Sequence, residues 1–202
     1  MKSSLVKKVG AVVVAGAVIL LSGCSNVSAA ASVGSDSVSN ERIQKSVVSI
    51  EKLRQTQTSP NSQLPVGSEL SRTVLNLYIA EMVAKQAAAT KGVTVTDAEV
   101  AKFRDKQIAN IGGAANLNNI LIQNSLAADD VDVLMTYALL NQKLASVMSK
   151  TADTNVSSQY IYSFMTKLKV NVNARYGTWD PKNGSVVAAD ATAGAVKTAT
   201  SK

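Results

Sequence analysis

Few side chains in this sequence can do chemistry. Its 202 residues include no histidine and a single cysteine, Cys24. Without imidazole there are no histidine general bases, no Ser-His-Asp or Cys-His nucleophile pairs and no histidine metal sites. One thiol can close no intramolecular disulfide and build no cysteine-clustered zinc site. Asp129, Asp130 and Asp132 form a tight carboxylate group. In the first turns of a helix, such charges complement the helix dipole. A calcium site is the alternative, but carboxylates along one helix do not converge as those of a loop do. The sequence has no paired carboxylates for acid–base work, no phosphate-binding loop and no Gly-x-Ser-x-Gly. These absences predict a protein that is not an enzyme, with no catalytic residue, no metal and no cofactor.

The one reactive position stands behind an export-type leader. Lys2, Lys7 and Lys8 precede an uncharged apolar run from Val9 to Leu21. A basic start followed by a short apolar stretch is the export-signal pattern. A comfortable bilayer crossing needs about 20 apolar residues. Leu21-Ser22-Gly23-Cys24 follows and looks like the bacterial lipobox. That likeness implies lipidation of the Cys24 thiol and cleavage that leaves Cys24 as the new N-terminus. Cleavage after Val27-Ser28-Ala29 is the alternative. Lipidation also accounts for a lone cysteine in an oxidising compartment. The expectation is a signal peptide over 1–23 and an acyl anchor at a membrane face.

The elements that must carry this anchor read as helical. The net charge is +7, and removing the leader's three lysines leaves +4. No basic run with interleaved aromatics accompanies that charge, so no nucleic-acid partner is expected. Residues 24–32 read as a Ser/Ala tether, and 33–38 as a brief extended segment turning at Gly34 and Asp36. Ser39 is a helix N-cap, followed by a stripe of Ile43, Val47, Ile50 and Leu53. Residues 58–67 read as a loop. A long helix over 68–91 carries two apolar stripes, which predicts a central position. Thr96 and Glu99 form a capping box for a third helix ending at Gly112-Gly113. A short helix buries Leu117, Ile120 and Leu121, and a long one spans 127–149. The last helix places Val156, Tyr160, Phe164 and Leu168 at four-residue spacing as its core face. Tyr176 and Trp179 predict that 170–180 clasps the body, with a disordered tail as the alternative. Arg175 is expected to lie over a ring or pair with a carboxylate, and Gly177 to allow a close turn. Asn183-Gly184 signals a hairpin closing at Val186-Val187. Residues 188–202 read as disordered. The expected fold class is all-α, a compact multi-helix domain over 33–187 with a short irregular or hairpin tail.

The order of these features resembles a known family. It comprises Ala31-Ser32-Val33-Gly34, the Val38-Ser39 helix start, the long helix from Leu70, the joint from Gly92 to Val100 and the Gly112-Gly113 break. This resembles the N-terminal domain of the SurA, PrsA and trigger-factor-like foldases, over about 31–187. The segment 170–180 looks like the V-x-V-N-P-R-Y-G-x-W-D tail of the actinobacterial branch, with Ala174 in place of its proline. The resemblance implies an extracytoplasmic chaperone that shelters non-native exported polypeptides. Many members also insert a parvulin isomerase unit, for which there is no room between Lys150 and Val170.

Two function classes follow. The first is a lipid-anchored, holdase-type chaperone on the extracytoplasmic face of a bacterial membrane, whose partners are unfolded or partly folded exported proteins. Met82, Met135 and Met148 are its candidate groove residues, with an ordinary core role as the alternative. The second is a structural or adhesin-like envelope lipoprotein that binds one fixed partner. A peptidyl-prolyl isomerase is the least favoured.

Overall fold

The structure, a computed structural model, describes residues 28–57 and 63–189. The leader, Cys24 and the rest of 24–27, the loop residues 58–62 and residues 190–202 lie outside that range. Among the described residues six α-helices dominate: α1 Asn40–Arg54, α2 Gly67–Ala89, α3 Asp97–Asn110, α4 Ala114–Gln123, α5 Val131–Met148 and α6 Thr154–Met165. The fold is therefore mostly helical, as expected, but it is not purely so. Strands β1 Ala29–Val33, β2 Asp36–Ser39 and β3 Val170–Val172 form an antiparallel sheet in the order β2-β1-β3. Strands β4 Thr178–Asp180 and β5 Ser185–Val187 form a separate hairpin.

Local signals set most helix ends. Ser39 caps α1, its hydroxyl accepting from the Arg42 N–H at 3.1 Å. Thr96 and Glu99 make both halves of the capping box that starts α3. The two stripes of α2 bury Leu70, Val74, Leu75, Ile79, Met82 and Val83, and the helix packs on α1, α5, α6 and β1. A helix enclosed on several sides is central, as its pattern predicted. The helix expected over 127–149 instead begins with a 3-10 turn at Ala128–Asp130 before α5 takes over.

Three expectations need correction. Ala29 to Ser32 are not tether: they belong to β1, where Ala30 is 0% and Ala31 2% exposed. These alanines are small enough to lie in the middle of the sheet and against α2. The all-α expectation holds in the main and misses only the small sheets, because strands of three to five residues carry too little alternation to register. Finally, Tyr160, Phe164 and Leu168 do pack against the main core, but α6 has a more deeply buried row beside them. It consists of Ser157, Ile161 and Met165, while Val156 is exposed and Tyr160 and Phe164 are half-buried. Ser157 is fully buried and donates to Asn141 Oδ1 on α5. This small polar contact lies within the packed α5–α6 face, and hydrophobic spacing cannot register it.

The tail docks. Val33, Ser32 and Ala31 of β1 pair with Val170, Asn171 and Val172, so the start of the body is tied to its end. Tyr176 and Val186 join the main core, and Trp179 packs against it. The Val186 N–H donates to Asn76 Oδ1 on α2 at 2.8 Å. The hairpin signalled by Asn183-Gly184 closes where expected. Gly177 has φ +129, and a Cβ there would meet the Val187 carbonyl oxygen at 1.9 Å. Arg175 is exposed, and its guanidinium neither pairs with a carboxylate nor covers a ring among the described residues.

Candidate functional site

The acidic trio separates into three different roles. Asp129 is exposed and meets Lys45 at 2.8 Å, whose hydrogen bond and charge hold its carboxyl below the usual range. Asp132 is exposed and pairs with Arg104 at 2.9 Å. Asp130 turns inward and is 1% exposed. Dipole complementarity alone therefore does not describe the trio. Among the described residues no group of three or more His, Cys, Asp or Glu is placed to hold a metal.

Asp130 is held from two other helices. Tyr78 Oη on α2 donates to Asp130 Oδ1 at 2.6 Å. Arg42 Nη2 on α1 donates to the same oxygen at 2.6 Å and to the Asp129 carbonyl at 2.8 Å. Arg42 Nε donates to Tyr78 Oη, closing a three-residue network. Burial, and next its bond to Asp130, pushes the Tyr78 phenol up to about 12. The phenol therefore remains a donor across the neutral range. Between the ordinary value of 10.0 and about 12 the unfolded chain holds fewer protons than the folded one. Stability then falls as pH rises. We expect Tyr78→Phe to flatten that alkaline loss relative to wild type, read as urea midpoints at pH 9, 10 and 11. Parallel slopes in the two proteins would rule the linkage out.

Asp130 also lines a cavity of about 310 Å³. Helix α2 contributes Thr73, Val74 and Leu77, and α4 contributes Ile120. Asn124, Ser125 and Leu126 follow α4, and Leu134 comes from α5. Leu126 also belongs to a second hydrophobic cluster, with Leu121 and Val131, separate from the main core, and Leu77 and Leu134 pack against that cluster. Side chains of α2, α4 and α5 wall the cavity, and the 3-10 turn carries Asp130 into its lining. That volume suits one or two leucine-sized side chains.

The candidate groove methionines do not line this cavity. Met82 is 5% exposed in the main core and lines a cavity of about 490 Å³ beside β2, with Arg42, Tyr78, Glu81 and Lys85. Met135 and Met148 are half-buried and do not line the apolar cavity. Aliphatic residues line the cavity instead. Sequence reasoning missed Arg42, Tyr78 and Asp130 as a unit. Its one trace was a tyrosine within an otherwise aliphatic stretch of α2.

With this geometry in place, the family comparison is decisive. A family model described as SurA-like N-terminal domain matches residues 1–145. The chain belongs to the SurA-like N-terminal domain family. SurA-like domains are of a chaperone-like kind that binds unfolded proteins. Every residue lining the apolar cavity of this SurA-like domain lies within the matched region. No curated protein and no solved structure matches the chain. Among the described residues no helix of the SurA-like domain is long and apolar enough to cross a membrane.

Proposed function

We propose that the protein is a lipid-anchored holdase on the extracytoplasmic face of a bacterial membrane, and that it shelters exported, non-native polypeptides without catalysing a reaction. The apolar cavity between α2, α4 and α5, inside a SurA-like domain, carries this reading. Burying one leucine-sized side chain gains about 1.5–3 kcal/mol, so two gain about 3–6 kcal/mol before the costs of association. A grip of that strength is reversible, which lets a client leave and fold without an energy source. Acyl chains on Cys24 would keep the domain where exported chains emerge.

The test is aggregation of several unrelated denatured proteins in the presence of a form starting at Ser25. Broad suppression is expected, and Leu134→Glu, which places a charge in the cavity wall, should reduce it. Suppression confined to one tightly bound partner would instead favour the structural envelope lipoprotein. For the anchor, Cys24→Ala should release the protein from membranes. Retention after signal processing would overturn lipidation.

A further inference from the structure

Strand β2 leaves one edge of its sheet open. The order is β2-β1-β3, so β2 has a neighbouring strand on one side only. All four of its residues line the cavity of about 490 Å³ that Arg42, Met82 and Lys85 also line. The two-residue turn Gly34-Ser35 makes Val33 and Asp36 a pair that exchanges both backbone bonds. Antiparallel pairs alternate, so Ser37, the next residue, directs its N–H and C=O away from β1. Ser37 is exposed, and among the described residues no turn, cap or side chain takes up either group. The charges beside it are unequal. Arg42 pairs with Asp130, and Lys85 with Glu81. Among the described residues Asp36 pairs with no cation, and its carboxylate accepts from the neutral Gln86 amide at 3.1 Å. The lining is therefore one positive charge short.

Resting on the holdase reading, we infer that β2 takes an extended segment of a non-native client as a fourth, antiparallel strand, selecting an apolar residue and a lysine or arginine two positions apart. The client residue opposite Ser37 exchanges both backbone bonds with it. Its two neighbours share one face of the added strand. One meets Val38, beside Met82, and the other brings the missing positive charge to Asp36. Strands of a folded protein have their backbone groups already paired, so an extended segment with free ones marks a non-native chain. A second copy of this chain fits less well, because pairing Ser37 with Ser37 would set Val38 against Asp36 and leave that charge unanswered. The position of the edge also suits a client arriving from the membrane. The Asn40 N–H donates to the Ser28 carbonyl at 2.7 Å, which puts Ser28 at the Ser39 end of β2. Four residue steps lead from Ser28 back to Cys24, a reach of at most about 14 Å. An acyl anchor on Cys24 would therefore hold the open edge near the face where exported chains emerge.

The experiment uses the full chain in lipid nanodiscs, with empty nanodiscs as the blank. The probe is a twelve-residue Ser/Thr-rich peptide with one central Val-Thr-Lys, its binding read by fluorescence anisotropy at low salt. Backbone N–H groups of the peptide are replaced one at a time by ester oxygen. The expected result is a loss of affinity of about tenfold at the central Thr, with small effects at Val and Lys, whose N–H groups point away from β2. Ser37→Pro, which removes the outward N–H from an edge strand, should weaken binding by a similar factor. Asp36→Asn should abolish the preference for lysine over uncharged norleucine. The ester scan runs on the unaltered protein, so it decides the question even if Ser37→Pro folds poorly. Binding with a flat ester scan would overturn strand addition. A dimer of the full chain that Ser37→Pro dissociates would overturn the client in favour of a second copy. No binding of the peptide while aggregation is still broadly suppressed would overturn the β2 site and leave the holdase reading standing, whereas loss of both would overturn both.

Discussion

Replacing Arg42 by Met should cost the fold about 3 kcal/mol, near the low end for breaking a buried ion pair because the Arg42 side chain is 28% exposed. Met retains much of the apolar stem of Arg42, so lost packing is a minor part of that loss. What remains is a carboxylate at 1% exposure with Tyr78 as its one bonded partner. An unpaired buried charge is the expensive item, more than the lost bonds themselves. The double variant Arg42→Met with Asp130→Asn separates these causes, because Asn keeps an oxygen for Tyr78 and removes the charge. The pair should recover at least 1 kcal/mol relative to Arg42→Met alone, since neutralising both partners is far milder than stranding one. Urea midpoints of the wild type, both single variants and the double variant decide it. Additive losses would mean that water reaches Asp130 through the Arg42 side and that the carboxylate is solvated as well as buried.

The Arg42 network also marks the limit of what could be read from the sequence. Ser39, the Thr96–Glu99 box, the double stripe of α2 and the Asn183-Gly184 turn were legible because each is decided within a few residues. Asp130 sits 88 residues from Arg42 and 52 from Tyr78. Nothing local distinguishes it from Asp129 or Asp132, and only the turn of the chain into the 3-10 helix sends it inward. The strand pairing of β1 with β3 fails to show for the same reason. Asn171 donates to Ser32 across a separation of 139 residues, in strands too short to alternate clearly. The cavity was half visible: Leu117, Ile120 and Leu121 were predicted to be buried together, and Leu121 is, but Ile120 faces the cavity. Methionine's adaptability made Met82 a groove candidate, and it takes the alternative role, that of an ordinary core methionine.

Removing the ring of Tyr176 should be nearly as damaging as breaking the ion pair, at about 3 kcal/mol for Tyr176→Ala. The residue is 3% exposed and belongs to the main core, although it lies in the tail. Its loss would loosen the contact that seats the β4–β5 hairpin on α2. That hairpin rests on few other ties, among them Val186 to Asn76 and Tyr162 Oη to the Lys182 carbonyl. Trp179→Ala should cost less, despite the larger ring, because Trp179 is only partly buried. The Tyr176 hydroxyl sharpens the test, since it is buried and bonded to no protein group. Tyr176→Phe should therefore leave the urea midpoint unchanged or raise it, because it removes a buried polar atom that gains nothing from the fold. The three variants give an expected order of stability: Phe at or above wild type, then Trp179→Ala, then Tyr176→Ala. A tail that acquired structure only on a partner would show no order, with all three midpoints equal to wild type. Tyr176→Phe falling as far as Tyr176→Ala would show instead that the hydroxyl, and not the packed ring, holds the tail in place.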